Sequence, residues 1–82
     1  MAKTFQLGIY SAEKTIFEGQ IISLVASSVS GYLGVLADHA PLAAKLKPGA
    51  ISFKDVSGKA ASIAMQSEGY LNVLHNKATI LL

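Results

Sequence analysis

The side chains able to do chemistry are few. Asp38-His39 is the one adjacent acid–imidazole pair in the 82 residues. On an extended chain, neighbours point to opposite faces, so the two cannot work there as an acid–base dyad. Ser28 and Ser67 are the serines to weigh as nucleophiles, yet no G-x-S-x-G elbow presents either. His39 and His75 stand too far apart to carry the short ligand spacing of a zinc site. There is no cysteine to add a thiolate ligand, a disulfide or a nucleophile. Gly31-x-x-Gly34 lacks phosphate-loop spacing and reads as a tight turn feeding a short strand. Catalytic, cofactor-binding and metal-ligating residues are therefore all expected to be none. His39 is expected to make local hydrogen bonds or to touch a partner.

The elements that would carry these residues follow a period of two. Phe5, Leu7 and Ile9 alternate with Gln6 and Gly8, as in a half-buried strand. Thr15-Ile16-Phe17 restarts the extended chain, and Gly19 suggests a bulge or a close backbone approach. Ile21–Val25 reads as a strand buried on both faces, ended by the turn cluster Ser27-Ser28-Val29-Ser30-Gly31. Leu33–Leu36 is a short strand. From Asp38 to Gly49 the spacing predicts an ordered connection, with at most a helical turn near Pro41–Ala44 and a type II turn at Pro48-Gly49. Ile51 and Phe53 begin a hairpin whose two-residue loop would be Ser57-Gly58, returning through Ser62–Met65. Leu71–Leu74, a turn at His75-Asn76-Lys77, and Ala78–Leu82 complete the chain. Turn signals every 8–12 residues predict an all-β sandwich or barrel with little or no helix. Residues 1–82 form a single domain. The apolar end at Leu82 predicts either a domain cut from a longer chain or a terminus paired in a sheet.

Composition narrows the partners. The chain is 51% hydrophobic and 15% charged, against about 25% charged in ordinary soluble chains. That excludes disorder. Seven lysines and no arginine give a net charge of +2, and the lysines are scattered, so a nucleic-acid surface is not expected. Nineteen uncharged residues separate Glu18 from Asp38, which reaches transmembrane length. Four serines and three glycines within them argue against membrane insertion. The N-terminus lacks the h-region of a signal peptide, and the chain is expected to be soluble and intracellular. A sandwich this small cannot hide so much apolar surface, and exposed apolar patches mark contacts. The expectation from the residues is a non-catalytic β-sandwich protein-interaction module. A ligand-binding β domain is the rival, with only Tyr10, Tyr32 and Tyr70 to line a groove; an enzyme lacks converging groups.

Gly31-Tyr32-Leu33-Gly34-Val35-Leu36, His39-Ala40-Pro41-Leu42 and Leu46-Lys47-Pro48-Gly49 together resemble the epsilon subunit of rotary ATP synthases (the delta subunit in mitochondrial naming). Ser11-Ala12-Glu13, Glu68-Gly69-Tyr70-Leu71 and Asn76–Leu81 fit the same pattern, so the resemblance covers the whole chain. It implies a flattened sandwich of about ten short strands in two sheets. It implies a non-catalytic central-stalk subunit without a cofactor, bound to the gamma subunit, touching the c-ring, and coupling proton or sodium passage to ATP synthesis. Such a subunit would lie at the cytoplasmic, stromal or matrix face of the membrane without inserting into it. The gamma contact would fall at Ser11, His39, Ala40, Pro41, Leu42 and Ala44. The c-ring-facing turn would be Ser30, Gly31 and Tyr32. Four positions depart from the family: Tyr32 stands where an acid is frequent, Ala37-Asp38 replaces Pro-Gly, and Glu68 replaces the first glycine of a pair. The helical hairpin that usually follows this domain, with its inhibitory and nucleotide-binding roles, has no counterpart in these residues.

Overall fold

The computed structural model describes residues 3–82. The described residues form eight strands and no helix: β1 (Phe5–Tyr10), β2 (Thr15–Ser28), β3 (Gly31–Val35), β4 (Leu42–Leu46), β5 (Gly49–Asp55), β6 (Ala60–Met65), β7 (Gly69–Leu74) and β8 (Lys77–Leu81). The strands pair in the order β1-β8-β7-β4-β2-β5-β6, with β3 on β2 and β1 also on β2. All pairs are antiparallel except β1 with β8. The body is flat, 35 × 24 × 18 Å.

The long strand β2 makes this a two-layered sandwich. Its first half pairs with β1, from Tyr10↔Thr15 to Phe5↔Ile21. Its second half lies between β3 and β5, with Leu24 opposite both Val35 and Phe53. One layer is thus β4-β7-β8-β1 and the start of β2; the other is β3, the end of β2, β5 and β6. The strand bends between layers where its register against β5 slips between Ile21 and Ser23, as a bulge allows. Gly19, the expected bulge, instead pairs regularly with Leu7, and the Phe17 ring packs across it. β2 runs unbroken through Gly19, β4 is an added strand, and the count is eight where the resemblance implied about ten.

Alternation decides the core. Phe5, Leu7, Ile9, Ile21, Leu24, Leu46, Ile51, Leu71, Val73 and Ile80 are buried between the layers. Phe17 and Phe53 meet across them at 4.5 Å between ring centroids.

Four local expectations change. The Asp38–Gly49 connection holds a strand, β4, rather than a helical turn: Leu42, Ala44 and Leu46 lie opposite Val73, Leu71 and Gly69 of β7. Gly49 has a positive φ of 152° but is already the first residue of β5, paired with Met65, so Pro48-Gly49 makes no type II turn. The β5–β6 loop is longer than Ser57-Gly58. Asp55 N–H donates to the Lys59 carbonyl, and Gly58, at φ 84°, donates to the Asp55 carbonyl. The turn after β7 is tighter than expected, with His75 and Asn76 at φ 50° and 58°, the left-handed pair of a type I′ hairpin.

Candidate functional site

No chemistry gathers around the expected acid–imidazole pair. His39 Nδ1 lies 2.7 Å from the carbonyl of Ala40. Asp38 is not extended but sits at φ 64°, in the third position of a turn closed by His39 N–H donating to the Leu36 carbonyl at 3.3 Å. Positive φ suits that position in a type II turn, which explains how Ala37-Asp38 stands in for Pro-Gly. Asp38 is held by distant groups rather than by a cap on its own turn. Its N–H donates to Asn76 Oδ1, its Oδ1 accepts from Asn76 Nδ2 at 3.0 Å, and its Oδ2 accepts from Lys3 Nζ at 2.7 Å. The turn is thereby tied to the β7–β8 hairpin. Ser28, weighed as a nucleophile, is buried and structural. Its Oγ donates to the Gly31 carbonyl at 2.6 Å and accepts from Ser30 N–H at 3.1 Å, locking the β2–β3 hairpin. Among the described residues, no group of three or more His, Asp or Glu side chains gathers to hold a metal.

Most of the expected contact residues lie in two exposed places. At one end of the β4-containing layer lies the turn Leu36–Pro41, with Leu36, His39, Ala40 and Pro41 exposed. Beside it is an open depression of about 230 Å³ lined by Lys3, Ile22, Leu36 and Ala37. Leu42 and Ala44 are half-buried on the inward side of β4, and Leu42 packs on the core. The second place is the β2–β3 hairpin. Val29, Ser30 and Gly31 are exposed, and Tyr32 keeps 82% of its surface free.

Register places Ser11 apart from the turn it was grouped with. Leu42 shares a row with Val73, Ala78 and Leu7. Ser11 follows Tyr10 four residues further along β1, about 13 Å at the rise of a strand. Its backbone N–H donates to the Lys14 carbonyl at 2.9 Å in the β1–β2 turn. Ser11 lies toward the end of the layer where Leu46 pairs with Ser28, that is, toward the hairpin. His39–Pro41 lies toward the other end.

Two carboxylates give the fold an acid-sensitive edge. The Lys3 ammonium, first through its hydrogen bond, and then Asn76 hold Asp38 below its ordinary 3.8. The Ser57 hydroxyl and then Lys59 N–H do the same for Asp55. A depressed carboxylate stabilises the fold above its unfolded value, and that contribution is lost as pH falls through the folded value. The melting temperature is therefore expected to fall as pH drops below about 4. Replacing both with asparagine, which keeps an acceptor oxygen but not the charge, is expected to flatten that slope in thermal scans. An equal slope in the double variant would place the acid sensitivity elsewhere.

Known proteins fit this body closely. Residues 4–82 match the family described as ATP synthase, Delta/Epsilon chain, beta-sandwich domain. The ATP synthase epsilon chain of Natranaerobius thermophilus is 37% identical over 79 residues, 96% of this chain and 56% of the relative. This chain thus spans little more than half the relative's length. A chain of the Euglena gracilis mitochondrial ATP synthase, solved with OSCP, F1 and the c-ring, superposes with a TM-score of 0.89 at 21% identity, covering 95% of this chain and 49% of that one. A chain of the Tetrahymena thermophila mitochondrial ATP synthase, from its central stalk and c-ring, gives 0.76 at 13%, covering 98% and 63%. At those identities the superpositions speak for the fold, and the sequence match for the kinship. The match over residues 4–82 is nearly the whole chain, and the chain belongs to the ATP synthase delta/epsilon family, matching its β-sandwich domain.

Proposed function

We propose that this chain is a non-catalytic part of the central stalk of a rotary ATP synthase, binding the gamma subunit and touching the c-ring. In that role it couples proton or sodium passage to ATP synthesis from the periphery of the membrane. The family match over residues 4–82 carries the reading, and the physical features support it. A rotor part must pass torque without yielding, and a two-layered sandwich loads many ladder bonds together. The exposed Leu36–Pro41 turn is braced by Asp38, Asn76 and Lys3, so docking there orders little. We assign His39, Ala40 and Pro41 to the gamma contact, with Leu42 and Ala44 supporting them from the inward side of β4. Ser11, at the other end, would be a separate point of the same contact. Ser30, Gly31 and Tyr32 would face the c-ring, where Tyr32 offers an amphipathic ring in place of a charge.

Replacing His39-Ala40-Pro41 with Gly-Ser-Gly, and leaving the half-buried Leu42 in place, is expected to lower affinity for isolated gamma at least about tenfold. Binding of the parent chain is expected to change little with salt, because apolar burial is not screened. Unchanged gamma affinity in a folded variant would reject the assignment.

A further inference from the structure

A sheet edge is a row of unpaired amides and carbonyls, and folded proteins block such rows with charge, proline or a bulge, or weaken the edge strand with glycine. Among the described residues, the segments with a largely free side are residues 15–20 of β2, and β3, β4 and β6. The first carries Glu18 and Gly19, β3 carries Gly31 and Gly34, and β4 carries Lys45. β6 reads Ala60-Ala61-Ser62-Ile63-Ala64-Met65 and has none of these devices.

The hairpin fixes which groups of β6 are free. Asp55 N–H donates to the Lys59 carbonyl at 3.0 Å, and one register runs from Lys54↔Ala60 to Gly49↔Met65. Bonded and non-bonded pairs alternate along an antiparallel ladder. Ala61, Ile63 and Met65 therefore bond to β5, while Ala60, Ser62 and Ala64 turn both N–H and C=O to the free side. All three are exposed.

We propose that this edge pairs with the same edge of a second copy of the chain, antiparallel about a twofold axis at Ser62. Ser62 then exchanges two backbone bonds with Ser62 of the second copy, and Ala60 exchanges two with Ala64 on either side. A twofold interface must complement itself, and Ala60 and Ala64 flank the axis alike. The facing side chains are a methyl or a hydroxymethyl, so nothing holds the backbones apart. On the inner side, Ile63, half-buried at the rim of the core, falls opposite Ala61 of the second copy and gains cover. The nearest charge on the strand path, Lys59, falls opposite Met65 of the second copy. The two Lys59 residues stand about 20 Å apart along the strands, beyond the screening length at physiological salt. Charge therefore does not oppose the pairing.

Amide hydrogen exchange of the 82-residue chain, followed at about 10 μM and about 1 mM, reads the pairing directly. The Ala60, Ser62 and Ala64 amides are expected to exchange several-fold more slowly at the higher concentration. Those of Ala61, Ile63 and Met65 are expected to be protected at both. Ser62→Pro removes a donor the single chain does not use, and the concentration dependence is expected to vanish. Ser62→Lys leaves the backbone intact and sets like charges face to face, with the same expected result. Exchange independent of concentration, or an association in sedimentation that survives both substitutions, overturns the proposal.

Discussion

Leu46→Ala is expected to cost about 3 kcal/mol, from a total on the order of 4–12 kcal/mol for a domain of this length. Leu46 is fully buried and ends β4 where the layers join. It faces Gly69 of β7 on one side and Ser28 of β2 on the other. No other described pair links β4 to β2. Truncation would leave a hole where the Val29 amide reaches the Lys45 carbonyl and the Lys47 amide reaches the Ser27 carbonyl. Those bonds fix the rear of the β2–β3 hairpin, so its protection from hydrogen exchange should drop with stability. The melting temperature is expected to fall by about 12–24 °C. Leu36→Ala, at a side chain 63% exposed, is expected to stay within about 0.5 kcal/mol. A loss below about 1 kcal/mol at Leu46 would mean the layers are not sealed there.

How far the sequence reached depends on the range of the interaction. Alternation is local, and it located β1, β5, β7 and β8 because one face of each carries buried apolar residues. β4 obeys the same rule, with Leu42, Ala44 and Leu46 inward and Ala43 and Lys45 outward, but alanine on both faces mutes the contrast and the flanking prolines suggest a loop. The passage of β2 between layers was hidden for a different reason. The slip sits at Ile22, an ordinary strand former, whereas Gly19 looked more like a bulge and is merely covered by Phe17. The brace on the exposed turn was beyond reach. Asp38 and Asn76 are 38 positions apart, and nothing in either residue's neighbourhood points to the other. Ser28 drew attention for its hydroxyl, and the structure spends that hydroxyl on a turn.

The apolar excess is resolved in an informative way. Val29 and Tyr32 are exposed on one hairpin, Leu36 on the braced turn, and Tyr70 and Leu81 side by side on the outer face of the β7–β8 pair. Val56 adds to the β5–β6 loop, Leu74 to the β7 end and Val25 to the other layer, so most of the surplus lies at loops and strand ends. A subunit gripped at separate points would need this arrangement, and two of these patches sit on turns held by internal hydrogen bonds, through Ser28 in one and Asp38 with Asn76 in the other.

Gly69→Ala is expected to cost about 2–3 kcal/mol, although it adds a single methyl group to a strand. A Cβ at Gly69 would lie 2.7 Å from the Leu81 carbonyl oxygen, 2.9 Å from Met65 Cε and 3.0 Å from Leu82 Cδ2. The two side-chain ends can swing aside, but the carbonyl belongs to β8, whose Leu81 pairs with Tyr70. Moving it strains the ladder that also holds Ile80 in the core. The preceding Glu68 is exposed, 3.5 Å from Lys45, so the first glycine of the family's pair is dispensable here and the second is not. Gly34→Ala supplies the contrast, since nothing lies within 4 Å of its added methyl. That substitution is expected to be neutral or to stabilise by up to about 1 kcal/mol, through the entropy of the unfolded chain. Urea midpoints moving in opposite directions for the two variants would show that proximity to β8, and not strand propensity, sets the cost. Equal losses at both positions would defeat this account of why Gly69 must lack a side chain.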